Sequence, residues 1–147
     1  MMKRHEILQP LSREHHETLI LAQLLKKDAP VYKGLPEDRV GKIIYAKALF
    51  DEKILPHFSA EERMVEKLET LRLAQLTDRG EDIKADHQLL RQMFEGLSPV
   101  LSTADDLDRL GRKLEEHVRS EERIYFPLIE ELAPPEMMAE FAQVLQH

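Results

Sequence analysis

Two stretches of this chain share one pattern: His57-Phe-Ser-Ala-Glu61-Glu62-Arg63 and His117-Val-Arg-Ser-Glu121-Glu122-Arg123. On a helix, a histidine and a glutamate four residues apart project from the same face, about 6 Å apart along the axis. An imidazole and a carboxylate so placed can grip a metal ion together. Two more histidines, His15 and His87, each follow an acidic residue, Glu14 and Asp86, and each precedes one HxxxEER copy. The chain therefore reads as two helical hairpins, each with one histidine on its first helix and HxxxEER on its second. Packed about a pseudo-twofold axis, they would bring four imidazoles and two carboxylates to one centre.

Helices are what the rest of the sequence supplies to position these groups. Apolar residues recur at spacings of three and four, and alternating β-branched runs and Asn-Gly or Asp-Gly hairpin turns are absent. Ser12 predicts the N-cap of a first helix reaching about Lys27, and the Pro30–Pro36 stretch breaks it. A second helix opens near Pro36 and runs to about Leu68, with Pro56 inside it, where a missing backbone donor predicts a kink or local widening, either as a tolerated bend or as a device that re-aims His57. Thr77-Asp78-Arg79-Gly80 predicts the next break, before a third helix ending near Leu97. Thr103 caps a fourth, with Asp106 at its third position, that runs to about Leu132. Ala133-Pro134-Pro135 stops it, and a short fifth helix covers Pro135–Gln146. The predicted fold is all-α: an antiparallel up-down-up-down four-helix bundle with a short C-terminal helix, formed as one domain over residues 1–147.

The apolar stripe of each helix includes the polar candidates. The first runs Leu8, Leu11, His15, Leu19, Ala22, Leu25, and the second Phe50, Ile54, His57, Glu61, Met64, Val65, Leu68. The third runs Ile83, His87, Leu90, Phe94, Leu97, and the fourth Leu107, Leu110, Leu114, His117, Glu121, Ile124, Leu128. A buried histidine is common. A buried carboxylate loses much solvation energy and must be paired or metal-bound, and these stripes contain no Lys or Arg. Two divalent cations bring +4 against −2 from Glu61 and Glu121, leaving room for a bridging oxide or hydroxide. Four imidazoles and two carboxylates without sulfur suit iron or manganese best, with zinc or copper as alternatives, and exceed what one tetrahedral zinc needs. Glu61 and Glu121 as bridges, with two histidines per metal, leave open positions for a small ligand.

Composition narrows the class further. The 147 residues are 33% charged and 42% hydrophobic, as expected of one globular domain. With no cysteine, thiolate metal sites, disulfides and a cysteine nucleophile are excluded. A net charge of −7 opposes nucleic-acid binding. No apolar run approaches the roughly 18 residues of a membrane span, and the charged, proline-broken start MMKRHEILQP does not resemble a signal peptide. A cytoplasmic protein is the expectation.

At this point the residues resemble a known family. His15, His57-xxx-Glu61, His87 and His117-xxx-Glu121 on four successive helices, with the flanks LPHFSAEE and HVRSEERIYFPL, are similar to the hemerythrin-like HHE cation-binding domain over about residues 5–130. The resemblance implies a non-haem di-iron centre in an antiparallel four-helix bundle, with His15, His57, His87 and His117 as terminal ligands and Glu61 and Glu121 as bridging carboxylates. It implies a small diatomic partner, O2 or NO. Oxygen-carrying hemerythrins have a second histidine one turn after the first on the third helix, where this chain has Arg91. That departure brings the resemblance closer to iron- and oxygen-sensing or nitric-oxide-responsive di-iron proteins. The Glu-xx-His motif of ferritin-like proteins is absent.

Other residues have plainer assignments. His16 competes with His15, but His15 aligns with Leu8, Leu11, Ala22 and Leu25 while His16 falls to the flank. His5 and His147 are expected to be solvated, the second as a frayed terminus. Glu62 and Glu122 are expected to face solvent, with a hydrogen bond to a ligand imidazole as the alternative. Tyr45 and Tyr125 read as core or boundary residues, with an approach to the site as the alternative, and the six dispersed methionines read as core filler. The functional expectation is a metal-binding module that takes O2, NO or iron for sensing, storage or repair; the alternative is a di-iron oxidase, peroxidase or nitric-oxide reductase. A bundle with satisfied core histidines and no metal is a third class, and it would have to bury two unpaired carboxylates.

Overall fold

The computed structural model describes residues 4–145, and every regular element among them is helical. The first helix, α1, spans Gln9–Leu25. The second, α2, covers residues 39–69 as Arg39–Leu49, a π-helical turn Phe50–Ile54 and Leu55–Glu69. Helix α3 is Ala74–Glu95. Helix α4 covers residues 104–132 as Ala104–Ser120, a second π-turn Glu121–Tyr125 and Phe126–Leu132. A short α5 follows at Pro135–Val144, so the expected helix ends at Val144; Gln146 and His147 lie outside the described residues.

Local chemistry accounts for most boundaries. Thr103 and Asp106 form a reciprocal capping box at the start of α4, as the sequence predicts. Asp38 accepts from the Gly41 N–H at the start of α2. Helix α1 differs from expectation: it begins at Gln9, with Pro10 in its first turn, so Ser12 lies inside the helix, where its hydroxyl donates to Glu122. Helix α3 also starts earlier than predicted and runs straight through Thr77–Gly80. Gly80 is buried there, and a Cβ would stand 2.8 Å from a Val65 methyl carbon, so its small size serves close helix packing rather than a turn.

Each π-turn ends two residues before a proline, Pro56 or Pro127. A proline cannot donate to the carbonyl four residues back, and the turn before it widens so that Leu55 bonds to Phe50 and Phe126 to Glu121. The expected widening at Pro56 is therefore present. The one at Pro127 shifts the stripe of α4: Ile124 is 42% exposed, and Tyr125, Phe126 and Ile129 are buried in its place.

The core is two apolar clusters with a polar layer between them. One gathers Leu21 to Leu25 of α1, Phe50 and Phe58 of α2, Leu90 and Phe94 of α3, and Leu107 to Leu114 of α4. The other gathers Leu8 and Leu11 of α1, Met64 to Leu68 of α2, Leu76 and Ile83 of α3, Tyr125 to Ile129 of α4, and Met138 and Phe141 of α5. Each of the four long helices crosses from one cluster to the other, in alternating sense along the chain. Complete burial of each Leu or Phe contributes about 1.5–3 kcal/mol, which offsets the cost of the polar layer. Gly111 brings α1 and α4 close: a Cβ there would meet the Ala22 carbonyl oxygen at 2.6 Å.

Candidate metal centre

The polar layer holds the six residues singled out from the sequence. His15 on α1, His57 and Glu61 on α2, His87 on α3, and His117 and Glu121 on α4 are each no more than 4% exposed. Their ligand atoms fall into two overlapping groups, His15-His57-Glu61-Glu121 and Glu61-His87-His117-Glu121, each with its atoms within 4.8 Å of one another. Both glutamates belong to both groups. His15 Nε2 lies 2.8 Å from Glu121 Oε1, His57 Nε2 3.2 Å from Glu61 Oε2, His87 Nε2 3.1 Å from Glu61 Oε1, and His117 Nε2 3.5 Å from Glu121 Oε1. His16 is exposed, so of the neighbouring pair it is His15 that reaches the centre. His5 is exposed and accepts from the Ile7 N–H.

The other side of every imidazole is held by a carboxylate. His15 Nδ1–H donates to Glu122 at 2.8 Å, His57 to Glu14 at 2.8 Å, His87 to Glu62 at 2.7 Å and His117 to Asp86 at 3.1 Å. The bonds close a ring: α1 holds a ring of α2, α2 one of α3, α3 one of α4, and α4 one of α1. Glu62 and Glu122 are thus partly buried supports rather than the solvent-facing residues expected from sequence. Glu14 and Asp86 acquire a role that sequence reasoning missed. The signal was there, since each sits directly before a candidate histidine in both halves.

Cations stand behind Glu122, Glu62 and Asp86. Arg4 pairs with Glu122 at 3.1 Å, Arg91 with Glu62 at 2.9 Å, and Lys113 with Asp86 at 3.0 Å. Arg91, at the position where oxygen carriers have a histidine, therefore points away from the centre. Its guanidinium lies over the Phe58 ring, which stacks on His87 with centroids 3.9 Å apart.

The electrostatics follow from this layout. A carboxylate only accepts, so each Nδ1 carries the proton and a neutral ring presents a lone pair at Nε2. Four such lone pairs then converge on the oxygens of Glu61 and Glu121. Burial alone lowers a histidine pKa, but Glu61 and Glu14 outweigh it at His57 and raise it to about 9. Glu61 and Glu62 do the same at His87, also to about 9. Burial pushes the Glu61 carboxyl up, and the surrounding imidazoles more than reverse this, holding it well below the usual range. The His117 ring and Lys113 hold Asp86 at about 2 despite its partial burial. Even so, Glu61 Oε2, Glu121 Oε2 and His117 Nε2 are buried without a hydrogen-bond partner. Such acceptors are costly to leave unpaired, and a cation satisfies all three. The residues present fit a metal site.

The pattern described as the hemerythrin HHE cation binding domain matches residues 6–129. This chain belongs to the hemerythrin HHE family. The matched span of this HHE domain takes in all six residues of the centre, from His15 to Glu121. Searches of curated proteins and of solved structures each returned no significant match. No helix among the described residues of the HHE domain is long and apolar enough to cross a membrane.

Proposed function

We propose that this HHE domain is an antiparallel up-down-up-down four-helix bundle holding two iron ions, bridged by Glu61 and Glu121. His15 and His57 complete one site, and His87 and His117 the other. Manganese and zinc accept the same donors, and iron is the metal that the family likeness favours. When bound, an iron pair supplies open coordination positions and reversible redox chemistry to a diatomic ligand such as O2 or NO.

The chain's own residues do the rest. The four outer carboxylates fix each ring so that Nε2 faces inward with its lone pair free. Phe58 restricts rotation of His87 by stacking on it. The apolar clusters on either side keep bulk water from the long axis of the bundle. A rigid, shielded centre of this kind suits binding for sensing, storage or repair.

The observation that carries this proposal is the buried, unpartnered trio Glu61 Oε2, Glu121 Oε2 and His117 Nε2. Elemental analysis of protein purified without added metal, with an optical spectrum of its oxidised form, tests it. Two irons per chain are expected, and Glu61→Ala or Glu121→Ala should lose them. A folded chain with no bound ion under iron-rich conditions rules the proposal out. A long-lived optical change on exposing the reduced protein to air supports ligand binding, whereas rapid turnover supports the oxidase or reductase alternative.

A further inference from the structure

A cavity of about 110 Å³ lies beside His57, lined by Glu14, Glu17, Thr18, Leu49, Lys53 and His57. Its outer members Glu17 and Lys53 are exposed, while Thr18 and His57 are 8% and 4% exposed. It therefore leads from the surface to a candidate ligand. Four other cavities, of about 170 to 640 Å³, are larger, and none of them is lined by any of the six.

The two halves of the chain differ at this point. Lys53 stands four residues before His57, as Lys113 stands four before His117. In the second half the intervening chain is regular α-helix. In the first half Lys53 belongs to the π-turn Phe50–Ile54, and Leu49 directly precedes it. A π-turn rotates the residues before it relative to those after it, and this one places Lys53 in the lining of the cavity.

We propose that this cavity is the passage by which molecules of two or three atoms reach the paired centre, entering on the His57 side. The passage rests on the dinuclear centre proposed above. Its volume corresponds to about four water molecules at about 30 Å³ each, which accommodates a diatomic or triatomic guest and not a bulky organic substrate. Leu49 and Thr18, 7% and 8% exposed, form its buried part, and the exposed Glu17 and Lys53 form a polar mouth.

Thr18→Leu fills the passage, Thr18→Val keeps its size and loses the hydroxyl, and Lys53→Trp covers the exposed mouth without touching the core. With iron-loaded protein and azide as probe, Thr18→Leu and Lys53→Trp should slow association about tenfold. Dissociation should slow by the same factor, because a passage changes the barrier and not its end points; Kd and iron content stay unchanged. Thr18→Val should remain within about twofold of the parent. Association at the parental rate in both blocking variants overturns the passage. If Thr18→Leu does not fold, Lys53→Trp alone decides.

A second measurement does not depend on iron. In metal-free protein, deuterium exchange at the imidazole C2 position, read by mass spectrometry, should slow at His57 in the blocking variants and stay unchanged at His117. Unchanged exchange at His57 overturns the passage whether or not the protein takes up a metal pair. Failure to take up metal, with slowed His57 exchange, overturns the dinuclear centre alone.

Discussion

His15 and His57 face each other Nε2 to Nε2 at 3.1 Å, each with its far nitrogen committed to a carboxylate. Two neutral rings so placed would oppose lone pair to lone pair, and only a cation or a proton between them relieves this. In metal-free protein the proton takes that part. His57 and His87 have folded pKa values of about 9, above the unfolded value of about 6.5. Their contribution is then complete below about pH 6.5 and is lost as pH rises through 9. Chelated protein should lose at least about 1 kcal/mol of stability between pH 6.5 and 9.5, measured by urea denaturation. Metal-loaded protein should show a smaller change, since metal and proton compete for the same atoms.

The carboxylates behind the rings should matter to metal retention though they lie outside the proposed ligand set. Glu62→Gln weakens the hold on His87 and lengthens its reach to Glu61. Metal affinity should drop about 10–100-fold, read by competition with a chromophoric chelator. Asp86→Asn should act likewise through His117. Parental affinity in both variants would show the ring to be a packing feature only.

Gly111→Ala tests the close approach of α1 and α4. The new Cβ would sit 2.6 Å from the Ala22 carbonyl oxygen, which is backbone and yields little. Overpacking of this kind costs about 1–3 kcal/mol, against a gain in helix propensity of about 1 kcal/mol or less. A net fall in melting temperature by calorimetry is expected; no change would mean that the helices separate freely.

The slipped stripe on α4 gives a paired test. Ile124→Lys should change stability by no more than about 0.5 kcal/mol, because Ile124 is 42% exposed. Tyr125→Lys places a charge at a position 1% exposed, and should prevent folding or cost several kcal/mol. Thermal melts followed by circular dichroism distinguish the two. The reverse order would put the helix back in uninterrupted α register.

The number and type of helices, the capping box at Thr103, and the inward placement of all six polar candidates were legible in the sequence, because each depends on spacing within one helix. What was not legible depends on contacts between helices. Gly80 looks like a break until Val65 and its neighbours are packed against it. Ile124 fits the stripe until the π-turn before Pro127 moves Tyr125 into its place. Glu62 and Glu122 look like solvent-facing neighbours of the glutamates because their partners, His87 and His15, come from other helices. The choice between His15 and His16 needed only the helical wheel, and burial agrees with it.

Within each hairpin one imidazole is steadied from the same hairpin, His57 by Glu14 and His117 by Asp86, while the other, His15 or His87, leans on the opposite one. Neither half is therefore self-sufficient, yet each carries the full kit of complementary parts. Two identical copies of a single hairpin, paired about a twofold axis, could reproduce every one of these supports, so the architecture is compatible with assembly from a duplicated half-length peptide.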